Sequence, residues 1–104
     1  MKKEQKEMLA RVEQFLAKKH GIEIISTDHR LAYAIMAVFD SKRYETIYDF
    51  ADATNFIALD FGVRLTRDAL IRSLYRTIKR LYGPDSHDLW AVCTELAQEF
   101  EAQK

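Results

Sequence analysis

The chain has one cysteine, one proline and three glycines among 104 residues, and its 16 basic and 16 acidic side chains cancel. One cysteine cannot close an internal disulfide, which suits a reducing cytoplasm. No apolar run approaches the roughly 20 residues of a membrane span. The start, Met-Lys-Lys-Glu-Gln-Lys-Glu, leads into an amphipathic pattern rather than a continuous apolar signal region. There is no Gly-rich phosphate loop, nucleophile elbow or Walker pattern. His20, His29 and His87 lie far apart, with no Cys or His at ligand spacing, so no zinc site is expected. Cofactors and small-molecule ligands are not evident, and the chain does not read as an enzyme.

What is present favours helix. Ala, Leu, Glu, Lys and Arg are abundant, and 48% hydrophobic residues suffice for the core of one domain over residues 1–104. Residues 3–19 place Met8, Leu9, Val12, Phe15 and Leu16 on one side of a first helix, which Gly21 ends. Residues 22–25 read as an extended connector, followed by Ser26, Thr27 or Asp28 as the cap of a second helix reaching Asp40. Its stretch 31–39 is apolar nearly all round, as in a central helix. A third helix is expected from Lys42 or Arg43, with Tyr44, Ile47, Tyr48 and Ala51 inward. Thr54-Asn55 offers a break before a short helix ending at Phe61. After Pro84, Asp85 or Ser86 is expected to cap a last helix with Leu89, Val92, Cys93, Leu96 and Phe100 inside. The expectation is an all-α, compact bundle of about six helices.

The most informative stretch is residues 62–83. Leu70, Ile71, Leu74, Tyr75, Ile78, Leu81 and Tyr82 fall within an arc of about 140°, with Arg72, Arg76, Lys79 and Arg80 within about 100° opposite. Thr66 stands at an N-cap position, and Gly83-Pro84 supplies the stop. Residues 62–84 carry a charge of +5, whereas 31–61 carry −3 and 85–104 carry −4. Short helix, turn and basic helix, over about 55–83, is the arrangement of a helix-turn-helix. Arg72 and Arg76, one turn apart, suit bidentate contacts to guanine. Arg64 and Arg67 flank the helix start, where phosphates are commonly held, and Lys79 and Arg80 suit the sugar-phosphate backbone. The alternative is a solvated face whose charges are matched by weak surface ion pairs.

The order of motifs resembles the C-terminal DNA-binding domain of the sporulation response regulator of endospore-forming bacteria, from about Met8 to Glu101. The resemblance is carried by Phe15-Leu16-Ala17-Lys18-Lys19-His20-Gly21-Ile22, Leu31-Ala32-Tyr33-Ala34-Ile35 and Ile57-Ala58-Leu59-Asp60-Phe61-Gly62. It continues through Leu70-Ile71-Arg72-Ser73-Leu74-Tyr75-Arg76-Thr77-Ile78 and Pro84-Asp85-Ser86-His87-Asp88-Leu89. The chain departs from the family in that no receiver domain is expected before the module, so no phosphoacceptor aspartate is implied and it reads as a stand-alone effector domain. Arg72 resembles a base-contacting Arg, and Arg76 stands where the family often has His. Ile71 and Tyr75 occupy places where the family usually has an acidic residue and a second Arg. The turn before Leu70 is about two residues longer.

The candidate DNA-contacting set is therefore Arg64, Arg67, Arg72, Ser73, Arg76, Lys79 and Arg80. The expected partners are double-stranded DNA and a second copy, held through the first or the acidic last helix, with Trp90 a candidate subunit contact. A second hypothesis is a helical adaptor or inhibitor gripping an acidic protein with the same basic face. The aromatics read mainly as core and Cys93 as a buried structural thiol. The carboxylate pairs Asp49/Asp52 and Glu95/Glu99 read as ordinary helix surface.

Overall fold

The computed structural model describes residues 3–22, 28–40, 44–85 and 88–103. They form α1 (Lys3–His20), α2 (Asp28–Asp40), α3 (Ile47–Leu59), α4 (Arg67–Tyr82) and α5 (Leu89–Ala102), with no strand among the described residues. The expected connector at 23–25, the caps Ser26 and Thr27, the helix start at Lys42 or Arg43, and Ser86 lie outside the described residues.

α2 is the hub. Residues 31–38 are all buried, and the helix contacts each of the other four. An apolar surface on every side requires such enclosure. α1 lays Val12, Phe15 and Leu16 into the core. Phe15 meets Phe100 of α5 edge-to-face at 5.6 Å, and Arg11 lies 5.6 Å from the centre of the same Phe100 ring. His20 Nε2 meets Glu99 Oε2 at 3.0 Å across the same seam, and His29 Nδ1 of α2 meets Glu13 Oε1 of α1. Cys93 is wholly buried on α5, and that burial pushes its thiol up to about 12.

Helix count and register depart from the sequence reading around α3. The two helices expected on either side of Thr54-Asn55 are one. Thr54 is fully buried, and its hydroxyl donates to the Phe50 carbonyl at 2.9 Å, one turn back. A hydroxyl satisfied within its own helix has no reason to interrupt it. The helix begins at Ile47, capped by Thr46, whose Oγ1 accepts from Asp49 N at 3.2 Å. Its inner stripe is Phe50, Ala51, Thr54, Ile57 and Ala58, so Tyr48 points outward, 49% exposed. At the last helix, capping falls to Asp88, whose carboxylate accepts from Ala91 N at 3.0 Å, rather than to Asp85.

Candidate nucleic-acid interface

The site is positioned by how α3 stops and α4 starts. Val63 N donates to the Ala58 carbonyl at 3.0 Å, and Gly62 N to that of Leu59 at 3.0 Å. This is the paired bonding of a Schellman motif, which needs a left-handed residue, and Gly62 has φ +78°. Four residues on, Thr66 Oγ1 accepts from Ala69 N at 3.2 Å and opens α4. Leu70, Leu74 and Ile78 anchor α4 in the core without exposure, with Ile71, Tyr75 and Leu81 half-buried beside them. Tyr82, expected on the apolar side, is 39% exposed.

The opposite side of α4 presents Arg72, Arg76, Lys79 and Arg80 to solvent, and Arg64 is exposed in the preceding turn. No carboxylate of the described residues pairs with Arg64, Arg72, Arg76 or Lys79. Lys79 and Arg80 also lie in the last turn, where positive charge complements the helix dipole. Arg72, Ile71 and Tyr75 line one side of a groove of about 530 Å³, with Ile47 and Tyr48 of α3 and Asp68 completing it. The departures Ile71 and Tyr75 are thus packed toward α3 rather than aligned with the cationic stripe.

Two members of the expected set are held elsewhere. Arg67 makes a two-pronged contact with Asp52 of α3, Nε to Oδ1 at 3.0 Å and Nη2 to Oδ2 at 2.8 Å. It also lies 5.5 Å from the centre of the Tyr48 ring. The bond to Asp52, then its charge, raises the guanidinium's pKa further. Arg67 is therefore an exposed clamp between α3 and α4. Ser73 is buried: its Oγ accepts from Arg30 Nη1 of α2 at 2.6 Å, and its carbonyl accepts from the Thr77 hydroxyl at 3.0 Å. The Ser73 hydroxyl, expected among the DNA contacts, thus faces α2 rather than solvent.

Arg30 carries no signal in the sequence and Asp52 is expected there only as ordinary helix surface, because their partners lie 43 and 15 residues away. Phe56, expected with the other aromatics mainly as core, is on the surface. Phe56 is 73% and Leu59 47% exposed, both on α3. Trp90 is instead engaged inside the chain, at 5.0 Å from Phe50 and 5.5 Å from Tyr44 between ring centres. Among the described residues no group of three or more His, Cys, Asp or Glu side chains could hold a metal, and no helix is long and apolar enough to cross a membrane. No known protein family, curated protein or solved structure matches the chain.

Proposed function

We propose that the chain is a sequence-specific DNA-binding protein, a transcriptional regulator that uses α3, its turn and α4 as a helix-turn-helix. Arg72 and Arg76 enter the major groove, and Lys79, Arg80 and Arg64 meet phosphates. One observation carries the reading: Arg72, Arg76 and Lys79 stand exposed on one face of α4 with no ion-pair partner among the described residues. Cationic side chains already matched by carboxylates would release few counterions from a duplex; unmatched ones release more. The ordered resemblance to the sporulation regulator's effector domain supports the same reading. The regulator is non-enzymatic and cytoplasmic.

Specificity requires a second copy, since one such module reads too few base pairs. Phe56 and Leu59 favour α3 over α1 or α5 as its contact. The same two side chains favour the second reading, an adaptor for an acidic protein partner. Selection of genomic duplexes on the purified protein tests the proposal. An enriched palindrome or tandem repeat is expected, and binding should survive competition by a random acidic protein. No enrichment, with binding abolished by the acidic competitor, transfers the basic face to the adaptor reading.

A further inference from the structure

Where the loop before α3, α4 and the start of α5 converge, four aromatic rings surround a concavity of about 240 Å³. Tyr44, Phe50, Tyr75 and Trp90 line it, with Glu45 and with Asp88, whose Oδ1 also caps α5. Trp90 packs edge-to-face on both Tyr44 and Phe50, at 81° to each, which fixes the orientation of the three rings. The walls are held in place before any ligand arrives. Phe50 is buried in the core, and the Tyr44 hydroxyl donates to the Ala37 carbonyl of α2 at 2.8 Å.

The chemistry of such a lining is selective. An aromatic face carries negative quadrupole density, which attracts a poorly hydrated cation most strongly where water is displaced. Carboxylates beside the rings strengthen that preference and disfavour anions. No Lys or Arg of the described residues lines the concavity. A compact inorganic cation would require about six oxygen ligands, more than the carboxylates of Glu45 and Asp88 supply, and no group of three or more His, Cys, Asp or Glu among the described residues could hold a metal. An alkylated ammonium group can instead cover its methyls with ring faces and leave its charge near the carboxylates.

The geometry points to a binding site for an alkylammonium cation at Tyr44, Tyr75 and Trp90, with Glu45 and Asp88 supplying the counter-charge. The shared chemistry is a quaternary ammonium, carried either by a small molecule or by a methylated lysine in a peptide. The inference is independent of DNA binding, although Tyr75 belongs to α4 and lies between Arg72 and Arg76 in sequence.

Trp90 is the sole tryptophan, so its emission reports the site directly. The probes are choline chloride, a trimethyl-lysine peptide with its unmethylated counterpart, and 3,3-dimethylbutan-1-ol, the uncharged isostere of choline. Sodium chloride controls for ionic strength. Saturable change with choline or the methylated peptide is expected, at least about tenfold tighter than with the neutral isostere. Tighter binding of choline assigns a small-molecule ligand, and tighter binding of the methylated peptide assigns a modified protein. Glu45→Gln should weaken the cation about threefold or more without altering the response to the alcohol, and Glu4→Gln on α1 should leave it unchanged. Glu45 is exposed, so this variant does not depend on repacking the rings. The inference is overturned by no saturable change up to roughly 50 mM, a weak limit for a specific site. Equal binding of choline and its neutral isostere also overturns it.

Discussion

α2 is buried on every side along residues 31–38, whereas α4 buries only one stripe, and the two helices do different work. α2 is enclosed along residues 31–38, so its sequence answers only to packing. α4 is anchored by Leu70, Leu74 and Ile78, and its remaining surface is released from that constraint. Of its exposed cations, Arg67 pairs with Asp52 of α3 and Arg80 has an interaction within the chain, while Arg72, Arg76 and Lys79 pair with no carboxylate of the described residues. The contrast separates side chains that hold the fold from exposed charges that do not.

The comparison breaks most sharply if the two sides of α4 behave alike. Ile35→Ala in α2 should cost about 2–5 kcal/mol of stability by denaturant unfolding, because it leaves a cavity with no route for solvent. Binding per folded molecule should be unaffected. Arg72→Ala and Arg76→Ala should each cost about 1–3 kcal/mol in specific duplex binding. Their unfolding free energies should remain within about 0.5 kcal/mol of the parent's, as for other exposed positions. Gly62→Ala should lose about 1 kcal/mol in the same unfolding assay. A Cβ meets nothing there, so the loss comes from the left-handed backbone alone.

Cys93 sharpens the contrast from the buried side. Its thiol is raised from 9.0 to about 12 by burial, so the fold favours the neutral form. Its contribution is complete below pH 9 and is lost as pH rises from there toward 12. Denaturant unfolding at stepped alkaline pH should show stability falling over that window, with Cys93→Ala flattening part of the fall. Tyr82 adds to the same limb from its ordinary 10.0 upward, since burial raises it to about 12.

The smallest effect concerns the clamp. Asp52→Ala should alter stability by no more than about 1 kcal/mol, since the pair with Arg67 is exposed. Removing that carboxylate also frees Arg67 beside the start of α4, so duplex affinity should rise modestly. A fall in affinity at unchanged stability would place Asp52 in the recognition surface rather than against it.

Much of this frame was legible in the chain. The periodicity of α1, α2, α4 and α5, the Thr66 cap and the glycine stops are local features, fixed by neighbours within one or two turns. α3 was not legible, because Thr54 and Asn55 favour caps and turns when their side chains face water. Burial of Thr54 reverses that preference by leaving the helix backbone as its hydrogen-bond partner. Tyr48 followed the inward spacing of Tyr44 and Ile47, but the helix begins only at Ile47, and its buried stripe starts from Phe50. The cationic stripe was readable from spacing alone. The reassignment of Ser73 and Arg67 was not, because both depend on which helices meet. The aromatic concavity combines residues from three separated segments, and no periodicity links them.

The proposed function has Arg72, Arg76 and Lys79, which pair with no carboxylate of the described residues, grip a nucleic-acid polyanion. Its most direct test is fluorescence anisotropy of a labelled duplex with the Arg72/Arg76/Lys79→Ala variant, alongside its thermal melt by circular dichroism. The account predicts a parent-like melt with loss of duplex binding and a flatter salt dependence. A variant that melts like the parent and binds duplex equally well, with the same salt slope, would contradict it.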